Sequence, residues 1–144
     1  MISQTLEYAL RAMVSLAHNH GQPRTSEQLA KDTQVPAMYL SKIMQGLVRA
    51  GLINSQRGPG GGFTLVRGPE EITIWDVVQA VDPFPRIREC PLKLSTHGTN
   101  LCPLHRKLDD AMAAVEDAFR STPLSDLAAT QRGVKPLCEL PNKD

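Results

Sequence analysis

The chain has 144 residues and a formal net charge of +1, room for one ordinary domain or a small domain with an attached helical element, and too little for a multi-domain enzyme. Apolar residues at 41% and charged residues at 22% exclude a disordered or fibrous chain, and aromatics at 4% favour packed helices over an all-β sandwich. No apolar run approaches the roughly 20 residues that span a bilayer, Glu7 and Arg11 interrupt any signal-like start, and three sparse cysteines make no disulfide scaffold, so a cytoplasmic protein with no membrane partner is expected.

The charge is unevenly divided: residues 1–68 hold seven Lys/Arg against three acids, and the remainder nine against twelve. The front half is therefore the part with an electrostatic case for a polyanion such as nucleic acid. Leu6, Ala9, Leu10, Met13, Val14, Leu16 and Ala17 recur at helical spacing over 5–20, with Gly21 placed as a stop. Thr25 and Gln28 form a capping-box pattern for a short second helix ending near Asp32. Pro36 suits the first position of a third helix, whose Leu40, Ile43, Met44, Leu47 and Val48 share one face and which Gly51 closes. Two helices joined across 33–35 make a helix-turn-helix candidate, although any two-helix hairpin in a bundle shows the same pattern.

Beyond Gly51 the pattern becomes more specific. Residues 52–57 and 63–67 read as strands separated by Gly58, Pro59, Gly60, Gly61 and Gly62, and a glycine-rich hairpin after a helix-turn-helix is the wing of a winged helix. A nucleotide-binding P-loop is excluded because no Lys-Ser/Thr pair leads into a helix. Thr73 and Asp76 cap a fourth helix carrying Trp75, Val77, Val78 and Val81, which closes the domain near Asp82. The proline-rich segment over 83–103 is irregular and holds Cys90 and Cys102. From Pro103 a longer helix places Leu104, Leu108, Ala111, Val115 and Ala118 alternately four and three residues apart, a coiled-coil seam of about two heptads that packing within the chain could equally explain. Thr122, Pro123 and Asp126 start a last helical turn. The expected organisation is a winged-helix domain over 1–82, a cysteine-containing loop over 83–102, a long helix and short terminal helix over 103–129, and a flexible tail over 130–144: mainly α with one small β-hairpin.

The run Tyr8-Ala9-Leu10-Arg11-Ala12-Met13, the run Tyr39-Leu40-Ser41-Lys42-Ile43 and the wing Arg57-Gly58-Pro59-Gly60-Gly61-Gly62-Phe63 together resemble the Rrf-two family of bacterial winged helix-turn-helix transcriptional regulators, the IscR/NsrR-like proteins. The similarity runs from Met1 to about Asp126. It implies a homodimer, joined by the long C-terminal helix, that binds a double-stranded DNA operator through the third helix and the wing.

With Leu40, Ile43, Leu47 and Val48 facing the core, helical geometry turns Met38, Ser41, Lys42, Gln45 and Arg49 outward. Ser41 and Gln45 suit base edges, and Lys42 and Arg49 suit phosphates. Thr25 and Ser26 offer hydroxyls and free N–H groups to a phosphate at a helix start. Arg57 is expected in a minor groove, the role the resemblance gives the matching arginine. Tyr39, Gly58, Gly60 and Gly61 complete the expected DNA-contacting set. A dimer should read an inverted repeat with half-site centres about 34 Å apart or a multiple of that, as a repressor in the leading reading.

Cys90, Cys102 and His105 form a second constellation, with His97 between. Cys102 before Pro103 sits where a helix dipole favours thiolate, and soft sulfur suits an iron–sulfur cluster or zinc. The resemblance implies three loop cysteines plus an outside ligand in cluster-bearing relatives, whereas this loop has two. A mixed-ligand [2Fe-2S] cluster would draw on Cys90, Cys102, Glu7 and His97 or His105. A reversible disulfide, a zinc site, and control by a small ligand or partner protein are the alternatives. Cys138 is expected to be uninvolved, and His18 and His20 to serve the dipole of the first helix. Catalysis is not expected: Cys102 and His105 lack a paired acid, an oxyanion motif or a cofactor fingerprint. A winged-helix module used only for protein assembly would explain the fold but not the cluster of positive charge.

Overall fold

The computed structural model describes residues 2–97 and 100–137. In chain order it contains α1 (Gln4–His18), α2 (Ser26–Thr33), α3 (Ala37–Arg49), β1 (Ile53–Gln56), β2 (Gly62–Leu65), α4 (Ile74–Val81), α5 (Pro103–Arg120) and α6 (Leu124–Ala128). The local start signals account for the ends. Ser3 accepts the Leu6 N–H at the start of α1, and reciprocal capping boxes pair Thr25 with Gln28 and Thr73 with Asp76. Such side-chain caps are worth about 1 kcal/mol each. Pro36 is the N-cap of α3 rather than its first residue. The second helix runs one residue beyond Asp32 because the Thr33 hydroxyl donates to the Leu29 carbonyl at 2.6 Å, and Gln34 then reverses the chain at φ 57°.

The core is built around α1. Leu6, Ala9, Ala12, Met13 and Leu16 are buried against Leu29 of α2, Leu40, Met44 and Leu47 of α3, and Val77 and Val78 of α4. Small Ala9 and Ala12 on the inner face of α1 let neighbouring helices approach closely, and the apolar stripe spans more than one face because α2, α3, α4 and α6 all meet it.

The wing is an antiparallel pair with Ile53 opposite Leu65 and Gln56 opposite Gly62. It has an unforeseen partner. Arg24, between α1 and α2, forms an antiparallel bridge with Phe63, each N–H donating to the other's carbonyl at 3.0 and 2.8 Å. Gly62 stands at φ 140°, where a Cβ would lie 2.6 Å from the Arg24 carbonyl oxygen, so only glycine admits this approach.

Beyond the expected boundary near residue 82 the chain returns to the core, in which Leu124 of α6 is fully buried. The segment is sewn back by Leu124 N–H to the Ile72 carbonyl (2.8 Å), Ile74 N–H to that of Thr122 (3.0 Å) and Ser125 N–H to that of Pro69 (3.0 Å). Five residues cannot hold a helix alone, so the apolar Leu124 and Leu127 dock on α1, where His18 Nδ1 lies 3.3 Å from the Ala128 carbonyl oxygen. After α6, Gln131 and Val134 exchange both backbone hydrogen bonds, at 3.0 and 2.9 Å. Cys138 and the rest of the segment 138–144 lie outside the described residues.

α5 has no buried residue, and among the described residues its seam is largely uncovered, with Leu104 62% and Leu108 47% exposed and Val115 half-buried. Leu124→Ala is expected to destabilise the fold by about 2–5 kcal/mol, the range for truncating a fully buried leucine. Chemical denaturation checks this; a loss under about 1 kcal/mol would mean that α6 does not belong to the core.

Candidate nucleic-acid interface and cysteine loop

The outer side of α3 is open as the helical period requires: Met38 is 77% exposed, and Ser41, Lys42, Gln45 and Arg49 are exposed while Leu40, Ile43, Met44 and Leu47 are buried. This face does not stand alone. Ser26 at the start of α2, Ser41, Gln45 and Arg49 of α3, and Ser55 and Arg57 of the wing line one open concavity of about 500 Å³, floored by Met44, Val48 and Phe63. Ser55 is missing from the expected set, although strand alternation puts it on the same side as Arg57 and could have found it.

The cations divide into two groups. Arg11 pairs with Glu7 at 3.1 Å, and Arg24 pairs with Asp32, so two of the front-half charges are neutralised internally. Lys42, Arg49 and Arg57 enter no ion pair among the described residues. Thr25 is committed to its helix: its hydroxyl oxygen accepts the Gln28 N–H at 3.2 Å, and its own N–H donates to the Gln28 side chain at 3.0 Å. Only its hydroxyl proton remains to offer outward. Tyr39 is exposed, with its ring 6.4 Å from that of Tyr8. At the wing tip Gly58 and Gly60 take φ of 90° and 75°, and the Gly61 N–H closes the turn on the Gly58 carbonyl at 2.9 Å. A Cβ on Gly61 would collide with the Gln56 carbonyl oxygen, so that glycine is needed by the turn itself.

In the cysteine loop the structure forms two separate thiol–imidazole neighbourhoods. Cys90 is buried, and its thiol is drawn below the ordinary value by the Leu94 N–H first, then by the His97 ring and the Leu92 N–H, against the opposing effect of burial. His97 Nδ1 is buried with no hydrogen-bond partner among the described residues. Cys102 is the N-cap of α5, and its Sγ lies 3.2 Å from His105 Nδ1, one turn along. Both thiols are free. Glu7 is occupied by Arg11 on α1. Among the described residues no three His, Cys, Asp or Glu side chains gather closely enough to share a metal ion. Within one chain a local turn holds Cys90 beside His97, while the start of α5 fixes Cys102 beside His105.

A clamp that no local pattern announced ties this loop to α5. Arg86 donates through Nε and Nη2 to the two carboxylate oxygens of Asp109, both at 2.7 Å, and the Ile87 N–H adds a bond to Asp109 at 2.9 Å. The Arg86 guanidinium holds the Asp109 carboxyl down at about 2, and its own proton is held more tightly in return. Arg86 also reaches Glu116 at 3.6 Å, Glu116 accepts from Arg120 at 2.8 Å, and the Arg120 guanidinium lies 5.0 Å from the centre of the Trp75 ring. Arg120, then burial in the opposite sense, sets the acidity of Glu116, with a net lowering. One flank of α5 is thus bound to the body by charge, with half-buried Phe119 packed against the core, while Leu104 and Leu108 stay exposed among the described residues.

A helix-turn-helix beside a glycine-tipped wing, sharing one cation-rimmed concavity, defines a winged-helix DNA-binding regulator. The chain belongs to the Rrf2 family, described as iron-dependent transcriptional regulators, whose pattern matches residues 2–130. The HTH-type transcriptional regulator IscR of Erwinia tasmaniensis is 29% identical over 125 residues, covering 86% of this chain and 76% of that one. CymR, the global cysteine regulator of B. subtilis, superimposes with a TM-score of 0.74 at 31% identity, covering 89% of this chain and 95% of its own. CymR of Staphylococcus aureus in its oxidized form gives a TM-score of 0.72 at 28% identity, covering 91% and 98%. The protein is a DNA-binding transcriptional regulator of this family, and its relatives are regulators rather than enzymes. Regulators of this family bind DNA and are typically dimeric. No helix among the described residues is long and apolar enough to cross a membrane.

Proposed function

We propose that the protein acts in the cytoplasm as a homodimeric repressor that binds an inverted-repeat operator and is controlled through its cysteine loop. The observation that carries the DNA reading is the shared concavity, on which α2, α3 and the wing converge. Ser41 and Gln45 meet base edges in the major groove, Lys42 and Arg49 neutralise phosphates, and Ser26 with the Thr25 hydroxyl proton receives a phosphate at the start of α2. Arg57 enters the neighbouring minor groove. Met38, Tyr39, Gly58, Gly60 and Gly61 border these contacts. The dimer reading is supported by the bare stripe of Leu104, Leu108, Ala111 and Ala118 along α5, an apolar seam that a second copy would cover.

For control, the loop supports thiol chemistry best: two free cysteines, each beside an imidazole and one of them acidified. The S. aureus relative solved in an oxidized form agrees with this. A second reading, an iron–sulfur cluster, is favoured by the family's description as iron-dependent and by the unpartnered His97 Nδ1, but needs ligands to come together that stand apart in one chain.

Arg57→Ala is expected to weaken duplex binding about tenfold or more while leaving the dimer intact by sedimentation. An unchanged binding curve at moderate salt would remove the wing from the interface. Binding that does not fall as salt rises would favour a protein-assembly module over a DNA regulator. Anaerobically prepared protein is expected to be colourless and iron-free with titratable thiols; visible absorbance with iron and sulfide, lost in Cys102→Ala, would establish the cluster instead.

A further inference from the structure

We propose that Arg24 and Asp32 are positioning residues for DNA binding: they tie the wing to the helix-turn-helix without touching the duplex. This rests on the duplex-binding reading above. Arg24 adds a one-residue backbone bridge to the wing at Phe63, and Gly62 carries no side chain to block it. Its guanidinium is ion-paired with Asp32 in the last turn of α2, with the two side chains 20% and 12% exposed. Asp32 also accepts the hydroxyl of buried Ser15 on α1, at 3.1 Å. A single carboxylate therefore joins α1, α2 and, through Arg24, the wing.

The energetics point to geometry rather than stability as the reason for this arrangement. The Arg24 Nε is buried and has no hydrogen-bond partner among the described residues, so the partly buried guanidinium is incompletely compensated. A one-residue bridge holds a hairpin weakly unless the residue making it is itself held. Phe63, the bridge partner, floors the concavity that Arg57 and Ser55 share with Gln45 and Arg49. A shift at Phe63 therefore changes the spacing between wing and recognition helix. Neither Arg24 nor Asp32 lines that concavity, so the charge of Arg24 acts inward.

The test uses full-length protein as wild type, Arg24→Met, Asp32→Asn and the double variant, with amide hydrogen exchange and binding to a mixed-sequence duplex of about 30 base pairs across a salt series. The Phe63 amide is expected to exchange about tenfold faster in both single variants, while Ala12 in α1 and Val77 in α4 keep wild-type protection. Duplex affinity is expected to fall about tenfold with the wild-type salt slope, and the double variant to be no weaker than either single one. Asp32→Asn is the sharpest arm: removing a negative charge strengthens binding to a polyanion if charge alone acts, whereas loss of the tie weakens it. Unchanged Phe63 exchange overturns the proposal. So does a salt slope reduced by about one in Arg24→Met alone, which would make Arg24 a phosphate ligand. If the wild type binds no duplex, the regulator reading fails, and the exchange data still decide the tie.

Discussion

The contact on which the structure turns is the approach of the Arg24 backbone to the strand that begins at Gly62. Any side chain at that position would push the two segments apart, and the hairpin would lose its backbone bridge to the segment between α1 and α2. With it in place, the face of α3 and the wing are held at a fixed distance across a single hollow, and a duplex can meet both at once. A recognition helix without such a neighbour would offer a handful of polar groups and two cations. Both elements together offer Lys42, Arg49 and Arg57, all uncompensated among the described ion pairs.

Behind this face, the cysteine loop and the long helix are coupled to the domain. Arg86 grips α5 from just beyond the end of α4, and the charge ladder through Glu116 and Arg120 reaches Trp75, which packs edge-on against Phe84 at 5.2 Å. A change in the loop around Cys90 or Cys102 therefore has a physical route to α4, which packs directly on α3. The same clamp, together with half-buried Phe119 packed against the core, retains α5 although none of its residues is fully buried.

Features written in local pattern were legible in the sequence. The capping boxes at Thr25 and Thr73 need only residues three apart, the outward set on α3 follows from its period, and the glycine run fixes the wing. The seam of α5 was readable as spacing, but its exposure depends on what else packs nearby. Long-range partners were not legible. Arg24 meets Phe63, Arg86 meets Asp109, and Leu124 returns to α1 across more than a hundred residues of chain, and no spacing rule connects such pairs. For the same reason the number of front-half cations overstated how many stand unpaired, since Arg11 and Arg24 are paired with Glu7 and Asp32. The loop ligands were identifiable as residue types, whereas their separation into two neighbourhoods is a matter of tertiary placement.

The central claim is that α3 and the wing contact one duplex together. Photocrosslinking tests it most directly: a benzophenone side chain placed at Gln45 in one sample and at Ser55 in another, each mixed with the same duplex. The account predicts that both positions crosslink to DNA at comparable yield. Crosslinking from only one of them, or from neither, would contradict it.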